Sequence, residues 1–214
     1  MSSVRTRLPA PRNTMIYVID DAVTPSLANR IEREIVPNLY FKYISKTTGL
    51  PKEVSVYSDE YTYDRGQLVA PIFSDGHKSF PSSDAYPITE MVLLSCLDKL
   101  NMTLDKAKRI KINMLRREDF PEDHYNVPHI DSMQGYSMVY YINDSDGDTV
   151  LFNERKLYRE NSHPSKLTIA KRVTPKKNRA VFFESNRMHA SSNPRVTEER
   201  YVINFMFDCR NGVQ

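Results

Sequence analysis

Hydrophobic residues change their spacing about halfway along the chain. In the first half they recur every three to four positions, as in segment 24–36, where Thr24 is a predicted helix N-cap and Pro25 occupies the first turn. Segment 88–100 has a similar period, which predicts a helix with four residues facing inward: Met91, Leu94, Cys96 and Leu97. Segment 15–20 alternates instead and predicts a strand ahead of the first helix.

From about residue 109 the hydrophobic residues alternate, which is the spacing of β-strands. Clusters of Gly, Asn, Asp, Ser or Pro separate the alternating segments, which are RIKINMLRR, YSMVYYIN, DTVLFN, KLTIA, RAVFFES and RYVINFMFD. Helices followed by antiparallel strands predict an α+β fold, mainly β, with a double-stranded β-helix (jelly-roll) core and N-terminal helices packed on one sheet. We expect one domain over 1–214, in which helices and loops of 1–108 support a jelly-roll core in 109–208.

The segment 50–87 has no clear period and is rich in Tyr and Pro. So long an irregular stretch inside a domain is typical of a lid or a binding loop, although short strands would give the same pattern. We therefore predict that this segment lies on the substrate side of the molecule. Its composition would suit a peptide or another extended substrate.

Composition narrows the class of protein without identifying it. Of the 214 residues, 40% are hydrophobic and 27% are charged, which is ordinary for a globular domain. The net charge of +3 suits an anionic ligand but is too small to predict nucleic-acid binding. Cys96 and Cys209 cannot form a disulfide framework or a cysteine zinc site, and we expect both to be reduced. No apolar run approaches the length of a membrane span and no signal sequence is visible, so the sequence predicts a cytoplasmic protein without a membrane partner.

Three residues form a candidate metal site. His129 and Asp131 are two positions apart, and a strand would direct both side chains to one face. Such a pair is weak alone, because His-x-Asp occurs by chance in roughly one chain of this composition in three. His189 follows on a later strand-like segment and supplies a third ligand. Two imidazoles and one carboxylate suit Fe(II), with three coordination positions left open.

A cation accompanies this candidate site. Arg200 follows His189 by eleven residues and opens the last alternating segment. It shares a face with Val202 and Asn204, whereas the opposite face is apolar. A guanidinium in such surroundings favours a bidentate anionic partner such as a carboxylate.

The four residues together resemble the motif of the Fe(II)/2-oxoglutarate-dependent dioxygenases, particularly the prolyl 4-hydroxylase-like branch. The resemblance covers 110–208 well and 15–208 loosely. It implies that His129, Asp131 and His189 hold Fe(II), and that 2-oxoglutarate chelates the iron while Arg200 binds its far carboxylate. It further implies an oxidoreductase that uses O2, hydroxylates a substrate and releases succinate and CO2, with ascorbate as a candidate reductant.

Three more residues are candidates for the co-substrate site. The segment 146–149 resembles the Gly-Gly-Glu-Thr turn of the family, with Thr149 at the Thr. No Tyr precedes the metal pair where the family has one, and Tyr125 is the candidate replacement. Asn204, on the predicted face of Arg200, completes the set. Collagen-type prolyl hydroxylases carry Lys in place of Arg200, so the substrate stays open between a prolyl or other amino-acid side chain and a small molecule, and nucleic acid is less expected.

Other interpretations compete with this one. The His-x-Asp pair would also suit the polar start of a strand, and Arg200 would also suit a surface ion pair with Glu198 or Glu199. A cupin-like metalloenzyme would use the metal but not 2-oxoglutarate, and would give Arg200 no role. A non-catalytic jelly-roll binding module would show no metal dependence at all.

Three basic features outside the motif have simpler interpretations. His124 is predicted to be exposed in its loop, and Arg195, the competitor of Arg200, is predicted to be solvated after Pro194. The basic run 171–179 is most simply a solvated loop, with contact to an anionic substrate as the alternative.

Overall fold

The structure is a computed structural model that describes residues 15–45, 62–63, 65–74, 77–78, 82–156 and 166–212. Part of the predicted lid, 50–61, lies outside these residues. The thirteen strands that the structure describes are β1 (Ile16–Ile19), β2 (Lys42–Ile44), β3 (Thr62–Tyr63), β4 (Gln67–Ser74), β5 (His77–Lys78), β6 (Met102–Arg116), β7 (Tyr125–Asn126), β8 (Tyr136–Tyr141), β9 (Thr149–Arg155), β10 (Ile169–Val173), β11 (Arg179–Glu184), β12 (Arg187–Ser191) and β13 (Glu199–Asn211).

Two antiparallel sheets form the core. The large sheet has the strand order β1-β11-β8-β13-β6-β4-β2, with β5 paired to β4, and the small sheet has the order β10-β9-β12. A short parallel pair of β3 and β7 stands beside them. This arrangement confirms the predicted fold, which is mainly β with a jelly-roll core. The first half of the chain contributes more than helices and loops, because β1, β2, β4 and β5 all join the large sheet.

Two helices pack on the outer face of the large sheet. Helix α1 (Pro25–Arg30) begins as predicted, because the Thr24 hydroxyl accepts the Leu27 backbone N–H at 3.3 Å. The chain continues as a π-helical turn (Ile31–Ile35) and a 3-10 turn (Val36–Asn38).

Helix α2 (Tyr86–Lys99) presents a different face to the sheet from the predicted one. Met91 and Leu94 are 55% and 41% exposed, so their predicted inward position is wrong. The buried residues are Thr89, Val92, Leu93, Cys96 and Leu97. Apolar residues surround much of this helix, and the sheet beneath it determines which of them are covered.

The alternation along the strands gives the large sheet two different faces. Met138 and Tyr140 of β8 pack with the helices in the main apolar core. Val139 and Tyr141, the alternate residues, pack instead between the two sheets with Leu151 of β9. The inner face is therefore the one available to a site enclosed by both sheets.

The segment that carries His189 is divided differently from the prediction. The alternating pattern over 179–208 predicted two strands around one polar loop, but the structure has three strands in this range. A turn at Ser185 and Asn186 follows β11 and leads into β12, which belongs to the small sheet. His189 lies on β12 and therefore faces the large sheet from the opposite side.

The structure tests the predicted exposure of the loop residues outside the motif. His124 is only 1% exposed, so its predicted exposure is wrong: its Nδ1 lies 2.8 Å from the Pro121 carbonyl and its Nε2 accepts the Asn193 N–H at 3.0 Å. Arg195 is exposed, as predicted.

Both cysteines are free, as predicted. Among the helices that the structure describes, none combines the length and apolar character needed to cross a membrane.

Candidate active site

His129 and His189 are held together by their own backbones. Each donates its N–H to the carbonyl of the other at 2.9 Å, which forms an isolated antiparallel bridge between the loop before β8 and strand β12. Their imidazole ring centroids lie 4.5 Å apart. Two residues sixty positions apart are thereby brought to one point between the sheets.

Each imidazole keeps one nitrogen for its own backbone and turns the other inward. The Nδ1 of His129 lies 3.2 Å from the Val127 carbonyl, and the Nδ1 of His189 lies 2.9 Å from the Arg187 carbonyl. A carbonyl can only accept, so Nδ1 carries a proton in both rings, and in the neutral form of each ring Nε2 then keeps its lone pair. This tautomer leaves Nε2 ready to bind a metal.

Asp131 supplies the carboxylate beside these rings. Its backbone N–H donates to the Ser185 carbonyl at 3.0 Å, which places the side chain over the inner face of the large sheet. The carboxylate oxygen Oδ2 lies 3.6 Å from Nε2 of His189, and one potential ligand atom from each of His129, Asp131 and His189 lies within 4.8 Å of the others. The described residues thus contain one candidate metal cluster, and it consists of the three predicted residues.

The protonation states of the cluster fit a divalent cation. Burial, reinforced by the nearby His189, lowers the pKa of His129 to about 3, so this imidazole is neutral at physiological pH. Burial alone would raise the pKa of Asp131, but His189, Arg109 and His129 together hold it below its ordinary value. An ionised carboxylate and imidazole lone pairs match the donors that Fe(II) accepts in a two-His, one-carboxylate site.

A network of polar side chains orients Asp131. The Arg109 guanidinium donates to Asp131 Oδ1 at 2.6 Å and to the Asn204 side-chain oxygen at 2.9 Å. The Ser137 hydroxyl donates to Asp131 Oδ2 at 2.7 Å and lies 2.9 Å from the Ser185 hydroxyl. Partners of this kind fix the direction of a metal-binding carboxylate and raise the affinity of the site.

Arg200 is a buried cation without an anionic partner among the described residues. It is 2% exposed, and its terminal amino group donates to the Thr149 hydroxyl at 2.8 Å, as does the Tyr141 hydroxyl. Its Nε has no acceptor within the described part of the chain, and burial lowers its pKa from the ordinary value. The surface alternative is wrong, because Arg200 is buried and Glu198 pairs with Arg117 at 2.9 Å. A guanidinium in this state favours a carboxylate from a ligand.

One cavity contains both the metal cluster and Arg200. Six of the seven residues predicted for the site line this cavity: His129, Asp131, Thr149, His189, Arg200 and Asn204. The other lining residues are Gln67, Lys111, Asn113, Leu115, Val139, Ala190, Ser191 and Val202. A single cavity thus connects the metal cluster with the guanidinium.

Tyr125 is the predicted residue that the structure does not bring to the cavity. Its ring packs edge-on against Phe152 at 5.4 Å, next to Met188 and Ala190. Phe152 alternates with Leu151, whose side chain faces the large sheet, so Tyr125 lies on the outer face of the small sheet. The residue that accompanies Arg200 is instead Tyr141, whose ring centroid lies 5.7 Å from the Arg200 guanidinium carbon.

Several residues near the site could not be predicted from the sequence, because their position depends on strand register. Arg109 and Lys111 are on the same face of β6 as Asn113, and Lys111 pairs directly with Asn204 of β13. The alternation in RIKINMLRR was visible, but the pairing of β6 with β13 was not. A predicted register would have placed Arg109 and Lys111 beside the metal cluster.

The loop before β9 approaches Arg200 so closely that it requires glycine. A Cβ at Gly147 would lie 2.6 Å from the Ser192 carbonyl oxygen, 2.9 Å from the Pro194 nitrogen and 3.0 Å from Arg200 Cδ. We expect Gly147→Ala to lower the free energy of unfolding by roughly 1–3 kcal/mol, because backbone atoms must move to admit the methyl group. Urea denaturation measures this effect. Gly212→Ala, near the end of the described chain, serves as the comparison, and an equal loss in both variants would contradict the crowding at Gly147.

Comparison with known proteins agrees with the geometry. A family model described as the 2OG-Fe(II) oxygenase superfamily matches residues 113–208, the range that contains all the predicted site residues. This part of the chain, somewhat less than half of it, is similar to that superfamily. The resemblance inferred from the sequence is thus confirmed, together with the expectation of an oxygenase-type enzyme. Among curated protein sequences, none matches the chain.

Solved structures share the fold of this chain at low sequence identity. A 2OG-Fe(II) oxygenase family oxidoreductase from Burkholderia pseudomallei has a TM-score of 0.60 at 14% identity, over 93% of this chain and 88% of its own. A prolyl hydroxylase from Trichoplax adhaerens, solved with a hypoxia-inducible factor peptide, has a TM-score of 0.56 at 14% identity, over 90% and 83%. The α-ketoglutarate-dependent epimerase SnoN of nogalamycin biosynthesis has a TM-score of 0.55 at 8% identity, over 89% and 76%. Since these proteins include both a prolyl hydroxylase and an epimerase, the shared fold leaves the substrate of this chain undetermined.

Proposed function

We propose that this chain is an Fe(II)- and 2-oxoglutarate-dependent oxygenase that hydroxylates a C–H bond of its substrate, with release of succinate and CO2. One observation carries the proposal: neutral imidazole and carboxylate donors share a cavity with Arg200, a buried cation whose Nε lacks an acceptor among the described residues. The first group of residues fits a ferrous ion. The second fits the far carboxylate of a co-substrate that reaches the metal with its other end.

One group of residues would hold the metal, and another would orient the co-substrate. The Nε2 atoms of His129 and His189 and the carboxylate of Asp131 would hold the iron. Bound iron, with 2-oxoglutarate and O2, supplies the oxidation of the substrate C–H bond. Arg200 and the Thr149 hydroxyl would bind the far carboxylate.

Apolar side chains between these two groups would keep water from the reacting atoms. Val139, Leu115 and Val202 line the cavity, and each is at most 5% exposed. A dry site strengthens the pairing of Arg200 with a carboxylate and limits side reactions. The cupin-like alternative gives no reason to bury an arginine at this place, so the proposal keeps 2-oxoglutarate as the co-substrate.

The remaining predictions from the sequence concern the substrate, a reductant, the cellular location and the domain organisation. We propose a peptide or protein side chain or a small molecule as substrate, in preference to nucleic acid, and ascorbate as a supporting reductant. The predicted cytoplasmic location and single-domain organisation also stay predictions. None of them alters the roles of the residues in the cavity.

Succinate formation from 2-oxoglutarate tests the proposal directly. We expect the wild-type protein to form succinate in the presence of Fe(II) and O2, and His129→Ala to lose this activity because one of the three metal ligands is removed. Wild-type protein treated with a chelator is the control for metal dependence. Absence of both iron-dependent turnover with any candidate substrate and 2-oxoglutarate binding would reject the proposal.

A further inference from the structure

The cavity contains a second cation that the proposed iron and co-substrate leave without a role. Lys111 lies on β6, in register with Asn204 of β13 and Pro71 of β4, and its side chain lines the cavity. Among the described residues, Asp131 is the only acidic residue lining this cavity, and its ion pair is with Arg109. No other described carboxylate lies within ion-pair distance of Lys111.

Lys111 stays charged in these surroundings. Burial is the main cause that lowers its pKa, and Arg109 adds to this effect, whereas Asp131 opposes both. Together they give a pKa of about 8. A pKa near 8 still leaves most of the lysine protonated at pH 7. The cavity thus contains a half-buried ammonium group without a described ion-pair partner, and such a group favours an anion.

The charges of the proposed iron and 2-oxoglutarate balance each other without this ammonium. The two positive charges of Fe(II) equal the two negative charges of 2-oxoglutarate, and Arg109 balances Asp131. Arg200 and Lys111 then leave an excess of two positive charges in the loaded site. An anionic substrate would reduce this excess, whereas a neutral one would leave the half-buried Lys111 without a counter-charge.

Lys111 is also separated from the region assigned to the far carboxylate. Arg200 pairs with Leu115 and Asn204 pairs with Lys111, so the two cations stand four residues apart along the sheet, or about 13 Å. Arg200 and Lys111 therefore enter the cavity from opposite ends of the wall that β6 and β13 form. Asn113 lies between them on β6, whereas Gln67 of β4, two positions before the Val69 that pairs with Asn113, lies level with Leu115 at the Arg200 end.

Asn113 adds an unsatisfied acceptor next to this cation. Its side-chain nitrogen donates to Gln67 Oε1 at 3.1 Å, but its side-chain oxygen is buried and has no donor among the described residues. Lys111 and Asn113 are two positions apart on one face of β6, about 7 Å between Cα atoms. A ligand that carries a negative group and an N–H donor on neighbouring atoms would satisfy both residues.

We propose that Lys111 and Asn113 bind the free carboxylate and the adjacent N–H group of the substrate, which is therefore an amino acid or the C-terminal residue of a peptide. This inference rests on the proposed function, since it takes Arg200 and the metal cluster as the co-substrate site. A single ammonium with neighbouring amide groups suits a carboxylate better than a phosphate, which presents more acceptor atoms and more charge. Arms with free amino acids and with dipeptides distinguish the two sources of this chemistry.

The test measures ligand binding to protein loaded with Mn(II) and 2-oxoglutarate, in which Mn(II) replaces iron to prevent turnover. Common free amino acids and dipeptides are compared with their C-terminal amides by thermal shift and titration calorimetry. We expect at least one acid to raise the melting temperature while its amide does not. Lys111→Met should weaken binding of that acid roughly 30-fold or more, because the buried carboxylate loses its partner.

Lys106→Met is the matched control, since it removes a positive charge from the same strand at an exposed position outside the cavity. It should bind the acid as the wild type does. The inference is overturned if no acid in the panel is preferred over its amide, or if Lys111→Met binds the preferred acid like the wild type. It is also overturned if Lys111→Met loses stabilisation by 2-oxoglutarate, because Lys111 would then serve the co-substrate.

The proposed function fails in a different way from this inference. If it is wrong, the wild-type protein itself shows no stabilisation by 2-oxoglutarate in the presence of Mn(II). If only the inference is wrong, that stabilisation is present in the wild type and the discrimination between acids and amides at Lys111 is missing.

Discussion

Arg200→Met is expected to abolish the stabilisation of the protein by 2-oxoglutarate while leaving the unliganded protein at least as stable as the wild type. Methionine preserves much of the side-chain volume but removes the buried charge, and loss of a buried ion-pair partner weakens binding by roughly 30-fold or more. In the unliganded state the arginine has no anionic partner among the described residues and its Nε is unsatisfied, so its removal relieves a desolvation cost. Thermal unfolding with Mn(II), with and without 2-oxoglutarate, measures both effects.

Arg195→Met provides the matched control for this experiment. Arg195 lies five residues before Arg200 but is exposed, and its backbone N–H donates to Asp146 at 2.8 Å, a contact that substitution of the side chain preserves. This variant should respond to 2-oxoglutarate as the wild type does. If Arg200→Met retained the full response, the assignment of Arg200 to the co-substrate would be wrong.

Asp131→Ala is expected to remove metal binding and all iron-dependent turnover. The carboxylate is the only anionic member of the cluster, and its loss leaves two neutral imidazoles that bind divalent iron weakly. Substitution of residues that merely orient a ligand costs 10- to 100-fold in metal affinity, so loss of the ligand itself should cost more than roughly 100-fold. Calorimetric titration with Mn(II) measures the change.

Asp208→Ala is the control, because Asp208 belongs to the large sheet but pairs with Lys108 at 2.7 Å and does not line the cavity. Circular dichroism should show that both variants are folded, since Arg109 keeps its contact with Asn204 when Asp131 is absent. Unchanged Mn(II) affinity in Asp131→Ala would refute the metal site.

The residues that the sequence predicted best are those that the chemistry itself restricts. A two-His, one-carboxylate site restricts the residue types at His129, Asp131 and His189, and the spacing of the motif follows from the fold, so both are visible in one sequence. The residue types that can orient a ligand are less restricted. Arg109 and Ser137 contact Asp131 only because β6, β13 and β8 pair in a particular register, which strand patterns do not specify.

Packing explains the errors at Tyr125 and His124. Tyr125 is close to the metal pair in sequence, but alternation along β9 sends its partner Phe152 to the outer face of the small sheet. His124 sits in a polar loop, yet the Asn193 N–H and the Pro121 carbonyl satisfy both ring nitrogens and allow burial. In each case the deciding neighbour comes from a distant part of the chain.

The backbone bridge between His129 and His189 makes metal occupancy visible to hydrogen exchange. The amide proton of each histidine is hydrogen-bonded to the other residue, so neither can exchange with deuterium until the loop separates from β12. That separation also pulls the two imidazoles apart. A bound metal should therefore slow deuterium exchange at these two amides together. The expected factor is the ratio of the metal concentration to its dissociation constant. Amides on the helix-covered face of the large sheet should exchange at the same rate with and without the metal.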